Sequence, residues 1–288
     1  MASEYCDIES LKSGAQTTCK ERSTLFRSTT DGAFSVAPDK FEKIYLVPQN
    51  RVKGNPRSTF ANPSPLTLLG LCMSLTCISC DLMGWGGSGG GGAATIGTYL
   101  FVGGLLMVIA GIFECLLGNT FPFVVSCGFG GFWFTMGSTL SPGFGSYAAY
   151  TPELNTPTLG LTAPGFLASF AFFFLCMAVF SFICLVCTLR TNIAQVIIFL
   201  FLTIQYSILA SANWIQADGD VDRANRINVA GGAAGFVVIS AGWYLFAAQM
   251  LMAVDFPIVL PVGDLSRLIR GGSQTKFIDG ENCQHVEV

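Results

Sequence analysis

The groups with which this sequence could do chemistry inside its apolar stretches are neutral ones. Ser74, Thr76 and Thr135, and then Gln195, Thr203, Gln205 and Asn213, stand among runs of Leu, Ile, Phe and Val, and no Lys or Arg lies deep in any of those runs. Polar groups at membrane depth are costly unless they pair or line a wet path. Hydroxyls and carboxamides are sufficient donors for one carboxylate, so the set suits the passage of a small anion. Three carboxylates, Asp81, Glu114 and Asp255, sit near the ends of apolar runs and read as solvated groups at helix ends.

Other chemistries find no complete set of residues. The single histidine, His285, belongs to a polar C-terminal stretch, which removes histidine-based catalysis and proton relay from the apolar part. Most of the 11 cysteines lie inside apolar runs, where a thiol behaves as a small hydrophobe. Cys77 and Cys80 have CxxC spacing without a second pair or a histidine. Asp218, Asp220 and Asp222 have calcium-like spacing, but no Gly and Glu follow at the positions a calcium loop requires. Gly86 to Gly92 looks like a phosphate loop without its Gly-Lys-Ser/Thr ending or a preceding strand. No nucleophile is paired with a base. These residues predict no enzyme, no metal and no cofactor.

The elements that must position the neutral groups are membrane spans. Of 288 residues, 51% are hydrophobic and 11% charged, against about 25% charged in ordinary soluble proteins. Six apolar segments are long enough to cross a bilayer, at about 20 residues each. They cover roughly 65–85, 95–117, 121–141, 163–189, 192–214 and 228–254. Residues 1–61, rich in Ser, Thr, Lys and Arg, read as a disordered cytoplasmic tail, 62–256 as the transmembrane domain, and 257–288 as a cytoplasmic C-terminal tail. Of 15 Lys and Arg, 9 precede the first segment and 3 follow the last, which predicts cytoplasmic termini. The small net charge of -3 gives no reason to expect nucleic acid. Segment four, dense in Phe, is apolar all round and is expected to face lipid or a neighbouring subunit. Glycines in segments two, three and six suit close helix packing.

The first span has a distinctive opening, Asn62-Pro63-Ser64-Pro65-Leu66. Proline is tolerated in a first helical turn, and the Asn62 side chain can accept from the free N–H groups there, leaving a partial positive charge that could face an anion. This stretch resembles the Asn-Pro-Ala-Pro-Leu-Gly-Leu signature of the acetate uptake transporter family, with Thr67 in place of the signature glycine. Gly118-Asn119-Thr120-Phe121, Gly128-Phe129-Gly130-Gly131-Phe132-Trp133 and Leu260-Pro261-Val262-Gly263-Asp264 are similar to further family segments, in the same order. The resemblance implies an all-α membrane protein with six transmembrane helices around a pore in each protomer, helices one, three and five lining the path. It implies a homo-oligomer, hexameric in relatives, that transports acetate and other small monocarboxylates, succinate among them. It also places a constriction at Leu71, Phe129 and Leu202, where relatives carry Phe and Tyr at the first two positions; Asn62, Trp133, Thr203, Gln205 and Asn213 are further expected pore residues. A sensor or scaffold without flux, and a transporter of ammonium or another small solute, are the alternatives.

Overall fold

The computed structural model describes residues 60–151 and 157–265. The tail expected over 1–61 lies outside them except for its last two residues, as do the cationic residues Arg267, Arg270 and Lys276.

Six helices are long and apolar enough to cross a membrane. They are α1 (Ser64–Leu82), α2 (Thr98–Leu116), α3 (Thr120–Leu140), α4 (Pro164–Thr188), α5 (Ile193–Ala217) and α6 (Val221–Ala253). Helix α2 opens as a π-helix over Thr98–Leu106 before tightening. Helix α1 packs on α2 and α6, α2 on α3, and α5 on both α4 and α6. Aromatic rings join α3 to α4 and α5: Phe129 meets Phe180 and Phe199 at centroid distances of 5.3 and 6.0 Å, and Phe132 meets Phe173 and Tyr206 at 5.7 and 5.1 Å. The end of the bundle where α1 starts and α6 stops is called here the terminal end, and the opposite one the far end. On α4, Phe172, Val179, Phe182, Ile183 and Val186 are exposed, the apolar outward face expected of segment four.

Local chemistry explains the helix ends. At the start of α1, Pro63 stands at the cap position, Pro65 in the first turn, and Asn62 Oδ1 accepts the Ser64 N–H at 3.1 Å. Between α2 and α3, Gly118 takes φ +77°, which lets its N–H reach the Cys115 carbonyl and the Asn119 N–H reach the Glu114 carbonyl, closing α2. One boundary departs from expectation. The sequence suggested an acidic loop up to residue 228, yet α6 starts at Val221, because Asp220 accepts the Arg223 N–H at 3.1 Å and caps a polar first turn.

The chain beyond α6 folds back. Val262 is buried, the Gly263 carbonyl accepts the Ile193 N–H at 2.9 Å, and the Leu265 N–H reaches the Thr191 carbonyl at 3.0 Å. Tyr244 Oη donates to the Pro261 carbonyl at 2.6 Å. This strap holds the α4–α5 corner, so the packed chain runs past residue 256, where the C-terminal tail was expected to begin. Glycines set the closest approaches elsewhere. A side chain at Gly103 would strike Ser74 Oγ and Trp133, both 2.6 Å from its Cβ. One at Gly235 would strike Ser79 Oγ and Gln205 Nε2.

Candidate transport path

Two cavities lie along α1, α3 and α5, one towards each end of the bundle. The terminal cavity has a volume of about 80 Å³, and the far cavity about 590 Å³. Since roughly 10–15 Å³ suffices for one water, both are roomy enough for several. Helices α1, α3 and α5 line both, α2 only the terminal one and α4 only the far one, while α6 reaches both. The walls are therefore not confined to helices one, three and five.

The cavities are separated within a single helical turn on each shared helix. Leu71, Phe129 and Leu202 are the deepest lining residues of the terminal cavity on α1, α3 and α5, and Leu75, Phe132 and Gln205 begin the far cavity on the same helices. Leu71, Phe129 and Leu202 are 6%, 1% and 1% exposed. Leu71, Phe129 and Leu202 thus all line the terminal cavity at its inner edge, about one helical turn before the far cavity begins.

The polar lining of the terminal cavity comes from Ser64 and Thr67 of α1, Glu114 of α2, Ser126 of α3, Gln195 of α5 and Gln249 of α6. Thr67 Oγ1 and Ser126 Oγ lie 2.8 Å apart, so one hydroxyl donates to the other. The Oε1 atoms of Gln195 and Gln249 are buried without a hydrogen-bond partner. Glu114 was expected to be solvated, and it is not: its relative exposure is 0%. Ser64 Oγ donates to its Oε1 and Asn119 Nδ2 to its Oε2, both at 2.6 Å, so the carboxylate ties the start of α1 to the α2–α3 turn. Asp255 is exposed, as expected.

The far cavity has two kinds of wall. On α4, Phe166 stacks on Phe170 at 5.7 Å and Phe170 meets Phe174 edge to face at 5.0 Å, while Trp133 of α3 also lines the cavity and stacks on Tyr99 at 5.2 Å. The lining also includes the carboxamides of Gln205, Asn213, Gln216, Asn225 and Asn228. Gln205 is 2% exposed with an unpartnered Oε1, and Trp133 Nε1 is likewise buried and unpartnered. Asn213 Nδ2 donates to the Leu209 carbonyl at 2.8 Å. Asp81 also lines this cavity, its Oδ2 accepting the Gly92 N–H at 2.6 Å, which pins the glycine-rich connection over the opening.

Among the other residues singled out in the sequence, Thr203 lines neither cavity, its hydroxyl being satisfied by the Phe199 carbonyl at 2.8 Å. Thr76 and Thr135 bond in the same way to carbonyls four residues back. Asn62 is exposed and lies two residues before the first lining residue, Ser64. The contributions of Ser64, Thr67, Ser126 and Gln249 were not anticipated. Ser64 and Thr67 lie inside the Asn62–Leu71 signature, which was the available signal; Ser126 and Gln249 carry none.

Six apolar helices enclosing two cavities that meet at an apolar floor define a multi-pass membrane protein of the transport class. The chain belongs to the GPR1/FUN34/yaaH family, the acetate transporter family, whose pattern matches residues 45–267. It is 41% identical over 240 residues to protein alcS of Aspergillus fumigatus, covering 83% of this chain and 88% of that one. It is 31% identical over 204 residues to acetate permease A of Emericella nidulans (70% and 66% covered). It is also 31% identical over 217 residues to ammonia transport outward protein 2 of Saccharomyces cerevisiae (73% and 70%). The fold is similar to that of the bacterial acetate channel SatP, with a TM-score of 0.56 at 23% identity, covering 71% of this chain and 99% of the channel.

Proposed function

We propose that this protein carries acetate, and with it other small monocarboxylates, across the plasma membrane through a path inside each protomer. The observation that carries the reading is the stacking of two polar-lined cavities on α1, α3 and α5 with only the Leu71, Phe129 and Leu202 level between them. A dry constriction flanked by hydroxyls and amides is how a hydrophobic gate works: it closes by excluding water and opens by a small widening. The names of relatives supply acetate as the cargo. The terminal end faces the cytoplasm in this reading, supported by the 9 Lys and Arg that precede α1. Exposed apolar rows on α2 and α4, such as Phe101, Ile112, Phe172 and Phe182, suit a ring of protomers, a hexamer in this reading. No catalytic step is assigned.

Uptake of radiolabelled acetate by the purified protein in liposomes tests the proposal, and absence of flux above protein-free liposomes would favour a sensor or scaffold. Tags at Met1 and Val288 should both resist external protease in intact cells, whereas a cysteine at Ser88 should react with an impermeant label. Ammonium is a second cargo with one observation behind it, that Glu114 and Asp81 are the charged groups lining the two cavities among the described residues. Ammonium competing with acetate at equal concentration would favour it.

A further inference from the structure

The far cavity is an unusual entrance for an anion. Among the described residues no Lys or Arg lines it, and its ionisable lining groups are Asp81 and Tyr206. At the same end, where α5 ends and α6 begins, Asp218, Asp220 and Asp222 are followed by Arg223 and Arg226 in the first turns of α6. Among the described residues at this end, Asp81 and these three make four carboxylates against two guanidinium groups. Low-dielectric walls lined by one sign of charge focus their field into a cleft, lowering the local concentration of like-charged solutes. A carboxylate entering here would meet the Asp81 charge and, among the described residues, no cation in the cavity lining.

The cavity floor offers what the uncharged form of an acid needs. An undissociated carboxyl group presents one O–H donor and one carbonyl acceptor. The buried Gln205 carboxamide, whose Oε1 lacks a partner, presents the complementary acceptor and donor on a single group. We infer that the far cavity is a selectivity site for the undissociated acid, with Gln205 pairing with its carboxyl group and Asp81 acting as the charge that turns the anion away. This rests on the monocarboxylate reading above and assigns the chemical form in which the cargo crosses this end.

Asp81 allows the charge to be separated from the structure. In Asp81→Asn the side-chain oxygen still accepts the Gly92 N–H, so the pinned connection is kept while the charge is lost. Two solutes of acetate's size remove ambiguity over pH: methanesulfonate, an anion at every working pH, and acetamide, neutral at every working pH. In proteoliposomes, acetamide should compete with labelled acetate, and labelled methanesulfonate should be excluded by the unaltered protein. Asp81→Asn should raise the methanesulfonate-to-acetate flux ratio roughly tenfold, and Asp81→Glu should restore exclusion. Methanesulfonate passing the unaltered protein as readily as acetate would overturn the inference, and so would an unchanged ratio in Asp81→Asn at normal abundance. Absence of acetate flux altogether would instead strike the transport proposal itself.

Discussion

The terminal and far cavities share three helices and differ in nearly everything else. On the terminal side the small α2–α3 turn, closed by Gly118 and tied to α1 through Glu114, draws the helix ends together around about 80 Å³. On the far side the long connections and the start of α4 leave about 590 Å³. The shared helices set where a path can run; the connections and the flanking helices set how wide each end is and which groups face it. The bundle is therefore narrow where a short turn and polar side chains tie the helix ends together, and wide where the longer glycine-rich connection follows α1.

The boundary between the two cavities should respond most strongly. Truncating a buried Leu or Phe that only packs costs about 2–5 kcal/mol and lowers abundance and all fluxes together. Leu202→Ala and Phe129→Ala are instead expected to merge the cavities and raise succinate flux relative to acetate. An unchanged succinate-to-acetate ratio at equal surface expression would leave these residues as ordinary core. Next comes the feature that narrows the terminal end. Glu114→Ala strands the Ser64 hydroxyl and the Asn119 amide, a loss of about 1–3 kcal/mol for each buried donor left unsatisfied. A lowered melting temperature of the purified protein should accompany weaker acetate uptake, and an unchanged melting temperature would show that the tie does not hold the helix ends.

Two asparagines whose side chains accept a backbone N–H at helix starts, Asn62 and Asn192, sharpen the comparison further. Asn192 is fully buried, and its Oδ1 accepts the Gln195 N–H at 2.9 Å, directly beneath a residue of the terminal cavity. Asn62 is exposed and accepts from Ser64. Replacing Asn192 by Ala should cost about 1–2 kcal/mol, and replacing Asn62 the lower end of the usual capping range, about 0.5 kcal/mol. Thermal unfolding of the two variants side by side checks the order. A larger loss of transport than of stability in Asn62→Asp, which keeps the cap but adds a negative charge, would show that Asn62 also meets the anion.

What the sequence made legible follows from the range over which each feature is determined. Apolar runs of bilayer length are local, and all six helices were readable from them. The start of α6 was not, because Asp220, Asp222, Arg223 and Arg226 look like solvated loop until the Asp220 cap is seen to begin a helix. Glu114 was misjudged for a different reason: its burial depends on Ser64, 50 residues away in sequence, closing over it. A lone carboxylate near a helix end gives no sign of that. Thr203 illustrates the converse, a polar residue at the right depth whose hydroxyl is consumed by its own helix. Leu71, Phe129 and Leu202 were singled out by counting along the chain from the family-like motifs and from Arg190; no periodicity within this chain distinguishes those three apolar residues from their neighbours.

The strap from Leu260 to Leu265 bears on the order in which the protein can be completed during synthesis. The Ile193 N–H and the Thr191 carbonyl flank the start of α5, and their partners in the strap, Gly263 and Leu265, are translated only after the whole of α6. Until then the α4–α5 corner has no backbone partner from this segment, and Val262 has no place in the core. Seating the strap is thus a late assembly step, and a nascent chain stalled within α6 would present an unfinished corner at the terminal end for quality-control factors to recognise.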